Sequence, residues 1–169
     1  MADFSRITER LFCGGQIKSA ADVAELVGAG VSHIINAQHE HSDTSRIGTL
    51  SYLWDPTEDD DVHPKPVTWF GNAVDFALAA LARPGTVVLT HCAHGVNRGP
   101  SLAYAILRAQ GWPRHDAYAL LKERRPQVTV GYRDDADAAL GALGWTPGAS
   151  SVRVKDLARS LPAAAATVG

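Results

Sequence analysis

The sequence has few cysteines and no long apolar run, and each absence excludes a class of protein. Only Cys13 and Cys92 are present among 169 residues, too few for the disulfide framework of a small secreted domain. No apolar run reaches the roughly 18 residues of a membrane-spanning helix, so no membrane association is expected. The first residues carry acidic side chains and lack a signal-peptide core, which predicts a cytoplasmic protein with reduced thiols.

The chain also lacks an excess of either charge. Lysine and arginine number 16, aspartate and glutamate number 18, and the net charge is −2. General nucleic-acid binding is not expected, because it usually requires a basic domain. Apolar residues make up 46% of the sequence and charged residues 20%, a composition typical of a folded globular domain.

Apolar patterning predicts alternating strands and helices. Short β-branched or apolar runs predict strands at 10–15, 31–37, 50–54 and 86–91. Helical spacing and helix-end signals predict helices at 19–30, 67–85, 99–111, 113–126 and 132–144, with Ser19 as the first N-cap. This alternation predicts an α/β protein whose sheet has helices on both faces.

The composition changes after Trp145. Small residues and prolines dominate the remaining sequence, "TPGASSVRVKDLARSLPAAAATVG". We therefore predict one folded domain over residues 1–145 and a loosely attached C-terminal tail over residues 146–169.

The stretch "HCAHGVNRGPS" (91–101) carries the clearest chemical signal. It joins a predicted buried strand to a predicted helix through a loop that contains Gly95. A loop entering a helix N-terminus presents free backbone N–H groups, which bind phosphate-like anions. Arg98 adds two donors for phosphoryl oxygens, and the same positive environment stabilises a thiolate at Cys92. A thiolate in a phosphate cradle is a nucleophile directed at phosphorus.

These residues match the His-Cys-(five residues)-Arg signature, and the chain over roughly 8–143 resembles the dual-specificity branch of the cysteine-dependent protein tyrosine phosphatases. The resemblance implies a central mixed, mainly parallel sheet of four to five strands and a phosphocysteine intermediate. It implies that Cys92 and Arg98 are catalytic and that His91 and Ser101 support the thiolate. The phosphate-binding residues it implies are Ala93, His94, Gly95, Val96, Asn97 and Arg98.

The resemblance also implies partners. The expected substrate is a phosphorylated protein, carrying phosphotyrosine and also phosphoserine or phosphothreonine. The expected protein is a monomer that requires no metal and no cofactor.

A general acid is expected in the acidic loop "DPTEDDD" (55–61), because the leaving oxygen must be protonated. Three consecutive carboxylates, Asp59, Asp60 and Asp61, are candidates. Aligning the following helix with that of the family favours Asp60, whereas aligning "SYLW" favours Asp59. We predict Asp60 and leave its two neighbours open.

The sequence departs from the family at Gly99, where a serine or threonine is usual. This departure predicts slow hydrolysis of the phosphocysteine.

Two other functions are compatible with a cysteine in an anion-binding loop. The motif "HC-x-HG-x-NR" is similar to that of RNA 5′-triphosphatases and diphosphatases, but near-neutral charge disfavours an RNA channel. A rhodanese-type sulfurtransferase also uses a cysteine in an anion loop, but its common loop is one residue shorter.

Overall fold

A computed structural model describes residues 1–41 and 47–145. The predicted tail, 146–169, lies outside the described residues, so the proposed domain boundary stays a prediction. Within the described ranges, no helix combines the length and apolar character needed to cross a bilayer.

The centre of the described part of the chain is a five-stranded mixed sheet. Its strands are β1 (Phe4–Arg6), β2 (Leu11–Gly14), β3 (His33–Asn36), β4 (Ser51–Trp54) and β5 (Val88–His91). The spatial order is β1-β2-β5-β3-β4, and every neighbouring pair is parallel except β1 with β2. The predicted mainly parallel sheet is confirmed. The short edge strand β1 had no predicted counterpart.

Within residues 1–41 and 47–145, five helices accompany the sheet. They are α1 (Ala20–Gly28), α2 (Val67–Leu81), α3 (Arg98–Ala109), α4 (Arg114–Arg124) and α5 (Arg133–Ala142). The predicted N-cap is confirmed: the Ser19 hydroxyl accepts the Asp22 amide, and the Asp22 carboxylate accepts the Ser19 amide. This reciprocal arrangement satisfies two N–H groups that a helix start otherwise leaves unpaired.

Successive side chains of the strands enter two separate cores. Leu11 and Cys13 of β2 face the larger core, which is built with α2, α3, α4 and α5, whereas Phe12 faces the smaller core beside α1. The same alternation separates Val88 from Leu89 in β5. Period-two patterning thus buries both faces of the sheet and confirms helices on both sides.

Candidate active site

The sequence motif occupies the carboxyl edge of the parallel strands. β5 ends at His91, α3 begins at Arg98, and the residues between them form the phosphate loop (92–97). Cys92 is 2% exposed and opens to a cavity of about 510 Å³. The residues lining this cavity are Asp59, Asp61, Cys92, His94, Val96 and Asn97.

The carbonyl groups of the phosphate loop are held by the surrounding scaffold. The carbonyl of Ala93 accepts the Gln16 amide at 3.1 Å, that of Val96 accepts the Thr129 amide at 2.9 Å, and that of Asn97 accepts the Ser101 amide at 2.8 Å. Two further carbonyls, those of His94 and Gly95, accept the Arg125 guanidinium at 3.3 and 2.7 Å. A trans peptide directs its carbonyl and the next N–H in opposite directions, so the amides of residues 94–98 are directed away from these partners. They are therefore available to an anion above Cys92.

Arg125 fixes the loop from beneath. Its side chain is 1% exposed, and its guanidinium forms a bidentate pair with Asp3 at 2.8 and 2.7 Å. This pairing lowers the pKa of Asp3 below its ordinary value. Arg125 thereby connects α4 to the residue preceding β1 and to two loop carbonyls. A charged fork buried in this way is a rigid support.

Two glycines permit close backbone contacts around the loop. Gly95 has a φ of +63°, and a Cβ there would lie 2.4 Å from Arg125 Nη2 and 2.6 Å from the Gly14 backbone. A side chain at position 95 is therefore excluded by both conformation and space. At Gly99 the backbone is ordinary, but a Cβ would lie 3.0 Å from the His91 carbonyl carbon.

Arg98 begins α3 and closes the acidic loop over the site. Its Nη1 donates to the carbonyls of Ala37 and Thr57 at 3.3 and 3.1 Å. Its Nε lies 3.4 Å from Asp59 Oδ2, an ion pair without good hydrogen-bond alignment. The guanidinium therefore contacts both the end of β3 and the loop that carries the carboxylates.

Asp59 is the carboxylate most firmly held at the cavity. Its Oδ1 accepts the Asn97 side-chain amide and the Tyr132 hydroxyl, each at 2.8 Å. Its Oδ2 faces Arg98. Asp59 therefore contacts the phosphate loop directly.

Asp60 faces a different part of the surface. Its carboxylate accepts the backbone amides of Val62 and His63 and the ammonium group of Lys65, and it lines a separate cavity of about 310 Å³. These hydrogen bonds, the His63 amide foremost, lower the pKa of Asp60 to about 2. Asp60 therefore lies apart from the cavity at Cys92, which Asp59 and Asp61 line, and the identity of the acid stays a prediction.

Comparison with known proteins agrees with this geometry. The family model for the dual specificity phosphatase catalytic domain matches residues 11–133. The chain belongs to this family. Dual specificity protein phosphatase 8 of Homo sapiens is 26% identical over 129 residues, covering 76% of this chain and 20% of that protein. The tyrosine-protein phosphatase vhp-1 of Caenorhabditis elegans is 30% identical over 127 residues, covering 75% and 19%. The chain thus spans about a fifth of the length of these relatives.

Solved structures share the fold of this dual-specificity phosphatase domain. The mouse putative dual specificity phosphatase complexed with zinc tungstate superposes with a TM-score of 0.71 at 24% identity, covering 87% of this chain and 94% of that one. DUSP15 superposes with a TM-score of 0.72 at 20% identity, covering 96% and 99%. The predicted family is confirmed, and so is its fold.

Two residues predicted to support the thiolate lie beneath the loop of this phosphatase domain. His91 is fully buried, and burial lowers the pKa of its imidazole to about 4, so the ring is neutral near pH 7. The Ser101 hydroxyl, also fully buried, accepts the Tyr132 amide at 3.3 Å. Their influence on the thiolate stays a prediction.

Sequence reasoning missed the residues that support the site of this phosphatase domain from outside the motif. Arg125, Asp3 and Tyr132 lie outside every motif that the sequence analysis assigns to the site. Arg125 donates to two loop carbonyls, Tyr132 donates to Asp59, and Asp3 pairs with Arg125 across 122 positions of the chain. The stretch "ERRP" (123–126) was the one available signal.

Proposed function

We propose that the chain is a phosphatase that hydrolyses phosphate monoesters through a phosphocysteine. One observation carries the proposal: the carbonyls of residues 93–97 are all bonded away from the cavity, and this leaves the loop amides to surround an anion above Cys92. Such donors stabilise charge that develops on the equatorial oxygens of a transferring phosphoryl group. Arg98 supplies the bidentate charge for the same oxygens once it exchanges its present contacts for substrate.

The first step transfers the phosphoryl group to sulfur. The Cys92 thiolate attacks phosphorus, the S–P bond forms, and the P–O bond to the leaving group breaks. Asp59 gives its proton to the departing oxygen, since it lines the cavity and faces Arg98. In the second step Asp59 takes a proton from water, the water oxygen attacks phosphorus, and Cys92 leaves as a thiolate. Phosphate and the free enzyme result.

The proposed substrate is a phosphorylated protein, with phosphotyrosine and phosphoserine or phosphothreonine as the reacting residues. Membership of the dual-specificity family supports this class. We further propose that the protein acts as a monomer in the cytoplasm. An RNA substrate is disfavoured because the carboxylates of Asp59 and Asp61 line the cavity at the loop and repel a polyanion.

The proposal is tested by comparing leaving groups. Release of phenolate from p-nitrophenyl phosphate, without added metal, should be measurable for the parent protein and absent for Cys92→Ser. Asp59→Asn should lower kcat/KM, which reports the first step alone, by about 10²–10⁴-fold for phenyl phosphate, whose leaving group is poor, and much less for an activated aryl phosphate. Asp60→Asn and Asp61→Asn are the matched controls. If Asp60→Asn alone shows this selectivity, Asp59 is not the acid.

A further inference from the structure

The side chain of Tyr132 contacts the proposed acid, Asp59, although the proposed mechanism gives Tyr132 no role. Tyr132 is 4% exposed at the start of α5, and its hydroxyl donates to Asp59 Oδ1 at 2.8 Å. Asn97 of the phosphate loop donates to the same oxygen at the same distance. Both donors therefore converge on one oxygen of the carboxylate and leave the other to Arg98.

The orientation of Asn97 is fixed by its other contacts. Its Oδ1 accepts the Gly131 amide at 2.7 Å and the Thr129 hydroxyl at 3.3 Å. A backbone amide can only donate, so the oxygen of Asn97 must face Gly131 and its NH₂ group must face Asp59. Between these two donors Val130 has a φ of +50°, an unusual conformation for a β-branched residue. Backbone strain of this kind persists where the surrounding structure imposes it.

Tyr132 is held just as firmly. Its backbone amide donates to Ser101 Oγ, and the edge of Trp69 contacts its ring. The Lys65 ammonium lies 4.6 Å from the ring centroid. Burial, followed by the bond to Asp59, raises the pKa of Tyr132 well above its ordinary value. The hydroxyl therefore remains a donor wherever the enzyme could work.

We infer that Tyr132 and Asn97 are positioning residues that decide which oxygen of Asp59 carries the proton. A carboxyl oxygen with two accepted hydrogen bonds has no lone pair left for a proton. The proton of the acid form must then reside on Oδ2, the oxygen that faces Arg98 and hence the phosphoryl group. The inference rests on the proposed function, since it assumes that Asp59 is the acid.

The step they prepare is the proton transfer to the leaving group. As the P–O bond breaks, the bond from Oδ2 to hydrogen breaks as well, and the departing oxygen keeps the proton. The resulting carboxylate has its charge distributed over both oxygens, where Tyr132, Asn97 and Arg98 already donate or pair. Without the Tyr132 hydroxyl, Oδ1 has room for the proton, and part of the population holds it on the side away from substrate.

Tyr132→Phe tests this inference against a purely structural role. Its kcat/KM should fall about 10-fold for phenyl phosphate and less than 2-fold for an activated aryl phosphate, whose phenolate needs little protonation. Tyr104→Phe is the matched control, because Tyr104 also donates to a carboxylate, Asp137, at 2.8 Å, but between α3 and α5. It should change neither rate by more than 2-fold.

A double variant makes the test decisive. If Tyr132 acts through Asp59, Asp59→Asn/Tyr132→Phe should be no slower on phenyl phosphate than Asp59→Asn alone. Equal losses on both substrates, or losses that multiply in the double variant, would overturn the positioning role while leaving the acid in place. If Asp59→Asn itself fails to discriminate between leaving groups, the acid assignment falls and this inference falls with it. Retained turnover of the activated substrate shows in each case that the variant is folded.

Discussion

Replacement of Asp3 by Asn should destabilise the protein by about 2 kcal/mol. Asparagine keeps the shape of the side chain but removes the charge that pairs with Arg125. Breaking one side of a buried ion pair costs about 3–5 kcal/mol. Here the Arg125 side chain is 1% exposed but that of Asp3 is 55% exposed, so solvent screening reduces the figure to about 2 kcal/mol. For a domain of this size, this corresponds to a fall in Tm of about 4–8 °C.

Urea unfolding followed by tryptophan fluorescence at pH 7 measures this loss. Asp75→Asn, an exposed carboxylate on α2, is the matched control and should lie within about 0.5 kcal/mol of the parent. Because pairing lowers the pKa of Asp3 from 3.8, its contribution is complete above that pH and is lost as the pH falls through the folded-state value. The difference between parent and Asp3→Asn should therefore shrink in acid. An Asp3→Asn protein as stable as Asp75→Asn at pH 7 would refute the reasoning.

Four other substitutions test the site and its scaffold. Cys92→Ser should abolish turnover but bind tungstate within about 3-fold of the parent in calorimetry, because the loop amides and Arg98 remain. Gly99→Ser should lower stability by about 1–3 kcal/mol in urea, since its Cβ would lie 3.0 Å from the His91 backbone; a faster, equally stable variant would contradict this. Burial lowers the pKa of His91 from 6.5 in the unfolded state to about 4 in the folded state, so the unfolded state binds the proton first as the pH falls. The free energy of unfolding should therefore decrease by up to about 3 kcal/mol between pH 6.5 and 4. Urea titrations across this range should show no such decrease from this residue in His91→Asn. Ser19→Ala should lower the free energy of unfolding by about 1 kcal/mol through loss of the α1 cap, seen as a lower Tm. An unchanged Tm would show that the cap does not stabilise the protein.

The motif and its strand were predictable because the information is local. Residues 86–98 combine a short apolar run, a cysteine, a glycine and an arginine, and a single strand–loop–helix unit contains them all. The apolar run of Leu11, Phe12 and Cys13 likewise predicted a strand, which the structure places in β2. Local patterns of this kind determine most of the sheet.

The carboxylate at the site was not predictable in the same way. Asp59, Asp60 and Asp61 are chemically identical in sequence, and an extended loop can direct any of them towards the cavity. Asp59 is distinguished by distant partners, Asn97 and Tyr132, whereas Asp60 is held by Lys65 and by amides close to it in the sequence. Strand β1 escaped prediction for a related reason, because three residues are too few to show a period.

The role of Arg125 has a consequence for the order of events during synthesis. The carbonyl of Gly95 must wait for a partner 30 residues further along the chain. At a translation rate of about 5–20 residues per second, that interval lasts roughly 1.5–6 s. The segment around Cys92 is therefore made early but acquires its working shape late, when α4 arrives and Asp3 can close on it. A ribosome paused before residue 125 would hold a nascent chain that contains β1 to β5. The Cys92 thiol of that chain would not yet be part of an anion site.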